Sequence, residues 1–227
     1  MRRVVFYHVP KCAGMSIRKV LQDSYPKSVR CPFVSRDLHT MKEYQLRQYM
    51  MFSGHYTPAR ARYSIQGDLV EAILLRNPKD RIISLYDWCR RTYDNGMKTM
   101  WPFVPFEAAK GYSFEEFLFL EKQRLTNAMC KQIVGVGTNG FDLVTEAFLL
   151  VCSMEVVGIV EEGLGKFLWK LSEAAELEWD GVIPRENVFQ GPPTRISPKA
   201  QELLTEITVG DMILYNTIKE VCYEPSC

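Results

Sequence analysis

No apolar run in this chain approaches the ~18 residues that a membrane-spanning helix requires. The longest candidate, residues 148–160, is interrupted by Ser153, Glu155 and Gly158. Cysteine occurs seven times but never as C-x-x-C, which argues against a zinc site; the irregular spacing argues against a disulfide framework. Only three histidines are present, so imidazole chemistry has few places to reside. Internal repeats, low-complexity tracts and long linkers are missing. The chain enters its first apolar segment almost at once, which leaves no room for a signal peptide. A reducing cytoplasm is the expected compartment.

What remains is an ordinary globular composition, with 227 residues, 47% hydrophobic and 24% charged. That suits one α/β domain over residues 1–227, large enough for a continuous core. The net charge of +1 conceals an asymmetry. Residues 1–62 carry twelve Lys and Arg against three Asp and Glu, while the later residues carry sixteen against twenty-four. A positive end of this kind focuses an anionic ligand. No nucleic-acid motif accompanies it, so a small polyanion is the expected partner.

The segment YHVPKCAGMS, residues 7–16, follows the β-favouring run Val4-Val5-Phe6-Tyr7 and precedes Met15, Ile17, Val20 and Leu21 at helical spacing. Such a strand-to-helix turn, rich in small residues, can aim backbone N–H groups and the positive helix end at an anion. Lys11 supplies a charge and Ser16 a hydroxyl. The same residues also suit an ordinary turn with a surface lysine. A second strand, Val70 to Leu75, leads into Arg76-Asn77-Pro78 and a helix striped by Ile82, Leu85, Tyr86 and Cys89. Arg76 and Ser84, two turns apart, could grip one phosphate from two sides; Arg76 could equally pair with Asp80, and Ser84 could be a buried helix serine.

Further along, residues 93–112 lose periodicity and gather Tyr93, Trp101, Phe103 and Phe106, the pattern of a long functional loop. Ser113 with Glu116 forms a capping box, and helices are predicted over residues 122–134 and 142–152. Val156 to Val160 reads as another strand, with Glu161 and Glu162 ending it and capping the next helix, which Leu164 to Ala175 stripes. Asn127 is read as structural. Residues 187–194 form a second irregular loop before the Ser197-Pro198 helix start; the last segment reads as two helical pieces broken near Val209-Gly210. Alternating strands and helices predict a parallel sheet covered on both faces, with ligands beyond the carboxyl ends of the strands. Lys11, His55 and Arg76 all follow predicted strand ends.

Taken together, HVPKCAGMS and LLRNPKDRIISLY resemble the sulfotransferases that use 3′-phosphoadenosine 5′-phosphosulfate (PAPS), and most nearly the branch of heparan sulfate 2-O-sulfotransferase and its small bacterial relatives. The likeness continues weakly through Ser53-Gly54-His55, residues 157–162 and residues 211–215. It implies a P-loop-like three-layer α/β fold with a central parallel sheet flanked by helices. It further implies transfer of a sulfuryl group from PAPS to an acceptor hydroxyl, leaving adenosine 3′,5′-bisphosphate, without a metal. The acceptor it implies is a glycan or a glycosylated metabolite; a tyrosine phenol or another small metabolite hydroxyl stays open. Carried over by position, Lys11, Cys12, Ala13, Gly14, Met15 and Ser16 hold the 5′-phosphosulfate, and Arg76 and Ser84 the 3′-phosphate. Lys11 stabilises the leaving oxygen, His55 acts as base, and Thr194 and Arg195 cover the nucleotide.

Alternatives differ in what they ask of these residues. His55 could merely hydrogen-bond backbone, and His8 could end its strand or assist His55; His39 receives no role. Arg30, Arg36, Arg47, Arg60 and Arg62 could hold an acidic sugar or serve as solubilising charge. Cys12, Ala13 and Met15 depart from the commoner PKTGGTS form, removing one hydroxyl donor at position 12 while leaving the backbone donors. A P-loop-type kinase or NTPase is the runner-up; its G-x-x-x-x-G-K-[ST] pattern is not met, because Lys11 precedes the small residues. A non-catalytic nucleotide-binding relative is the third reading.

Overall fold

The computed structural model describes residues 1–33, 38, 40–94, 111–135, 141–184 and 193–223. Four short buried runs form its sheet: β1 (Arg3–Tyr7), β2 (Met51–Gly54), β3 (Leu69–Leu75) and β4 (Val156–Ile159), with Val, Ile, Leu and Phe leading in all but β2. They pair in the order β2-β1-β3-β4, every pair parallel. Parallel strands need crossovers, and helices supply them. These include α1 (Gly14–Ser24), the short α2 (Glu43–Leu46) and α3 (Pro58–Ser64), and α4 (Pro78–Asp94).

Beyond α4 the described chain is helical on either side of β4. α5 (Phe114–Leu120), α6 (Lys122–Leu125), α7 (Ala128–Val134) and α8 (Phe141–Cys152) precede it. α9 (Leu164–Ala175), α10 (Pro198–Ile207) and α11 (Val209–Tyr223) follow. Among the described residues no helix is long and apolar enough to cross a membrane. The expected loops at 93–112 and 187–194 fall largely outside the described residues, as do Arg36 and His39.

Strand alternation divides the core in two. Val4 and Phe6 face Ile17, Val20 and Leu21 of α1 and Phe167, Leu168 and Leu171 of α9. Val5 and Tyr7 face Met129, Ile133, Leu143, Val151 and Leu214 of α7, α8 and α11. A third cluster joins Ile82, Tyr86 and Cys89 of α4 to Phe114 and Phe117 of α5 and Leu204 of α10. This is the three-layer α/β fold expected from the sequence.

Where one helix was expected over residues 122–134, the structure has two, because Asn127 adopts a left-handed φ of 48°. Asparagine tolerates that region better than most residues. The break lets two helix starts cap each other. Asn127 Oδ1 accepts the N–H of Gly210 (2.8 Å) and Asp211 (3.4 Å), and the Asp211 carboxylate accepts those of Met129 (3.0 Å) and Cys130 (2.8 Å). Asn127 is thus structural. Gly210 is required there, since a Cβ would stand 2.9 Å from the Asn127 amide.

Candidate functional site

Strand order fixes where a ligand can sit. The chain leaves β1 for β2 on one side, then returns past β1 to pair β3 on the other. The carboxyl ends of β1 and β3 therefore flank the topological switch point, the usual ligand crevice of an open α/β sheet. Lys11 follows the first strand and Arg76 the second.

The turn after β1 is conformationally demanding. Lys11 (φ 70°) and Ala13 (φ 54°) are both left-handed, a conformation costing roughly 1–2 kcal/mol for a residue with a Cβ. Ala13 occupies the N-cap of α1, whose first turn contains no acidic side chain, so the positive end of the helix is uncompensated there. Ser16 is buried in that turn and Met15 points outward. Gly14 has no room for a side chain, because a Cβ would overlap the His8 ring. Cys12 is fully enclosed, and burial pushes its thiol up to about 12, so it behaves as an inert packing group.

Arg76 donates from Nη1 to the Lys11 carbonyl at 3.2 Å, rather than pairing with Asp80. The two separated motifs are therefore in direct contact. Behind Arg76, Asn77 caps α4 by accepting the Lys79 N–H at 3.0 Å, and Pro78 takes the first helical position, where no donor is needed. The Asn77 N–H is held by Glu161 at 3.0 Å, and Tyr215 donates to the same carboxylate at 3.2 Å. Glu161 thus braces the second motif instead of capping the helix after β4.

One face of α4 turns toward Lys11. Ser84, Asp87, Trp88 and Arg91 stand at i, i+3, i+4 and i+7. The Lys11 ammonium lies 5.2 Å from the Trp88 ring centroid. Burial, with Arg91 and Arg76 nearby, lowers the Lys11 ammonium to about 8, against weaker opposing pulls from Cys89 and Asp87. Ser84 is half-buried on that face. Thr194 Oγ1 donates to Asp87 at 2.5 Å, which draws the late loop onto α4 one turn from Ser84; Arg195 beside it is exposed. The sequence reading missed Asp87, Trp88 and Arg91, although their helical spacing from Ser84 could have found them.

The histidines meet for a reason of register. β1 and β2 pair Val4 with Met51 and Phe6 with Ser53 on one face, so the next positions on that face are His8 and His55. The His8 N–H bonds the Gly54 carbonyl at 2.8 Å, and the two rings stack with centroids 4.6 Å apart. His55 Nδ1 lies 2.8 Å from the His8 carbonyl. A carbonyl only accepts, so Nδ1 carries the proton and Nε2 is the basic nitrogen of this tautomer. Burial lowers His55 below the usual histidine range, with the His8 carbonyl opposing and Arg18 reinforcing. Burial, His55, Arg18 and Lys11 push His8 down to about 3. The His8 ring is neutral at pH 7, and the same burial favours the neutral form of His55.

Of the arginines considered for an acidic sugar, Arg30 donates to the Tyr25 carbonyl at 2.6 Å, Arg47 pairs with Glu43 at 2.6 Å, and Arg62 pairs with Glu71 at 2.6 Å. These three are occupied within the fold, while Arg60 is exposed. Among the described residues no group of three His, Cys, Asp or Glu could hold a metal ion.

No curated protein matches this chain. The family model described as the sulfotransferase family matches residues 2–131. That span contains the loop after β1, both stacked histidines, Arg76 and the inward face of α4, and it covers more than half of the chain: the protein belongs to the sulfotransferase family.

Proposed function

We propose that this protein transfers a sulfuryl group from PAPS to a hydroxyl of a carbohydrate acceptor, with His55 as base. The Arg76–Lys11 contact carries the reading, because it draws the predicted phosphosulfate loop and the predicted 3′-phosphate arginine into one site. The residues present fit a doubly phosphorylated nucleotide. The Cys12 and Ser16 N–H groups bond the Val9 and Ala13 carbonyls, which leaves Ala13, Gly14 and Met15 to offer backbone donors at an uncompensated helix start, and Gly14 makes room there for the His8 ring. Lys11 and Arg76 bring two cations, Ser84 lies on the α4 face that carries Trp88, and Thr194 bonds Asp87 one turn away.

When bound, PAPS supplies the sulfuryl group and departs as adenosine 3′,5′-bisphosphate. The chain contributes position and charge. Lys11 neutralises negative charge at the departing oxygen. Arg76 and Ser84 fix the 3′-phosphate, and residues 12–16 fix the opposite end. His55 Nε2 takes the acceptor hydroxyl proton, and the His8 carbonyl holds the ring in the tautomer that allows this. The six described cysteines are free thiols, four of them buried, which supports a reducing compartment such as the cytoplasm.

Thermal unfolding with added nucleotide is the test. A ligand at 100 times its Kd stabilises by about 2.7 kcal/mol, which for a chain of this size raises Tm by roughly 5–10 °C. Adenosine 3′,5′-bisphosphate should do this without magnesium, and Arg76→Ala should weaken it by roughly ten- to a hundredfold in Kd. In a transfer assay with labelled PAPS over a glycan panel, His55→Gln should lower kcat by roughly 10²–10⁴ while keeping the nucleotide-dependent shift. Equal stabilisation by ATP with magnesium would overturn the assignment in favour of phosphoryl transfer. Nucleotide binding without transfer by the wild type would leave a binding protein.

A further inference from the structure

We propose that Trp88 is a positioning residue for sulfuryl transfer: its indole face holds the Lys11 ammonium in the site and keeps it protonated. This rests on the sulfotransferase reading and adds to it the group through which α4 acts on the transfer. The Lys11 ammonium lies 5.2 Å from the Trp88 ring centroid, within the range at which the negative face of an indole attracts a cation. Trp88 stands one helical turn after Ser84 on α4, and helical side chains lean toward the N-terminus, so the ring leans toward the Ser84 turn. The ring is half-buried and packs against the cluster that contains Ile82, Cys89 and Phe117, which fixes it. A lysine stem has many rotamers, and a fixed aromatic face selects among them.

Among the described residues the Lys11 ammonium makes no ion pair or hydrogen bond. The charged and titratable groups around it are His8 at the end of β1, Arg76 at the end of β3, and Asp87, Cys89 and Arg91 on α4. Arg76 and Arg91 repel it. The His8 ring is neutral at pH 7, and burial raises the Cys89 thiol to about 12, so neither supplies a negative charge. Asp87 is the one carboxylate in this group, and it already accepts the Thr194 hydroxyl at 2.5 Å. With its ammonium lowered to about 8, Lys11 is close enough to neutrality that one modest attraction decides its charge. The indole acts in two opposed ways. Its bulk excludes water, which disfavours the charge, and its π face attracts the charge. The attraction outweighs the exclusion, because no free carboxylate competes for the ammonium.

The test is calorimetric titration of the full chain with adenosine 3′,5′-bisphosphate from about pH 6 to 10. The wild type should lose affinity with a midpoint near 8. Trp88→Leu keeps an apolar side chain but no π face, and should lower that midpoint by roughly half to one and a half pH units. Trp88→Phe should fall between the two. Lys11→Arg/Trp88→Leu should show the same flat profile as Lys11→Arg, because a guanidinium does not titrate in this range. A midpoint that rises in Trp88→Leu overturns the proposal, since the ring would then act only by excluding water. So does an unchanged midpoint, or a shift that persists beside Lys11→Arg. If the wild type binds no nucleotide, the sulfotransferase reading falls instead, and indole emission of the nucleotide-free protein decides the contact. The wild type should show a step near pH 8 that Lys11→Met lacks; identical curves overturn the proposal. That comparison leaves Trp88 in place, so it stands even where Trp88→Leu does not fold.

Discussion

Lys11 is held where its charge is least comfortable, in a left-handed turn, over an indole, with Arg76 and Arg91 close by. Burial and those two cations bring its ammonium down to about 8. A lowered lysine keeps its proton below that value and loses it as pH rises through it. Affinity for adenosine 3′,5′-bisphosphate should therefore weaken between pH 7 and 9, approaching tenfold one unit above the midpoint. Lys11→Arg retains its charge throughout and should flatten the profile. Calorimetric titration across that range decides it; an unchanged slope in Lys11→Arg would detach the pH dependence from this side chain. The thiol of Cys12, one residue on, is too deeply buried and too weakly acidic to share the titration.

Among the elements, the pairing of β1 with β2 and the start of α1 form one unit. Register brings His8 beside His55, and the His8 ring then fills the space against Gly14. Gly14→Ala should force the ring or the helix start to move, destabilising the chain by about 1–3 kcal/mol and lowering nucleotide affinity. Removing the obstructing ring should relieve most of this. The double variant His8→Ala/Gly14→Ala is expected to recover stability relative to Gly14→Ala alone, read from urea unfolding as a coupling energy. If the two effects simply add, the ring is not what excludes a side chain at position 14.

At the scale of the whole molecule, three helix starts meet around one buried carboxylate. Asp211 of α11 accepts two N–H groups of α7, Asn127 returns the favour to α11, and the Arg81 guanidinium of α4 lies 3.8 Å from Asp211. Asp211 is fully buried and Arg81 nearly so, with Arg81 Nε and Nη2 making no hydrogen bond among the described residues. Replacing one partner of a buried charge pair leaves the other charge uncompensated. Asp211→Asn should thus destabilise by about 3 kcal/mol or more, seen in calorimetry as a fall in Tm of roughly 6–12 °C. A change of under a degree would mean that the pair contributes nothing beyond its neighbours.

Local rules made much of this legible before any tertiary contact. The runs Val4–Tyr7 and Val70–Leu75, the Ser113 and Ser197 caps and the stripe on α9 each depend on a few adjacent residues, and each stands as expected. The break at Asn127 was not legible, because its left-handed turn exists to serve Gly210 and Asp211, more than eighty residues away. Nor were the engagements of Arg30, Arg47 and Arg62, or the brace from Glu161 to Asn77. The sequence by itself determined which strands and helices form and where the small-residue turn between β1 and α1 would lie, since these follow from neighbouring side chains and backbone preference. Tertiary structure alone decided that Arg76 reaches the Lys11 carbonyl and that His8 stacks on His55, because strand order and register bring together groups the chain keeps far apart.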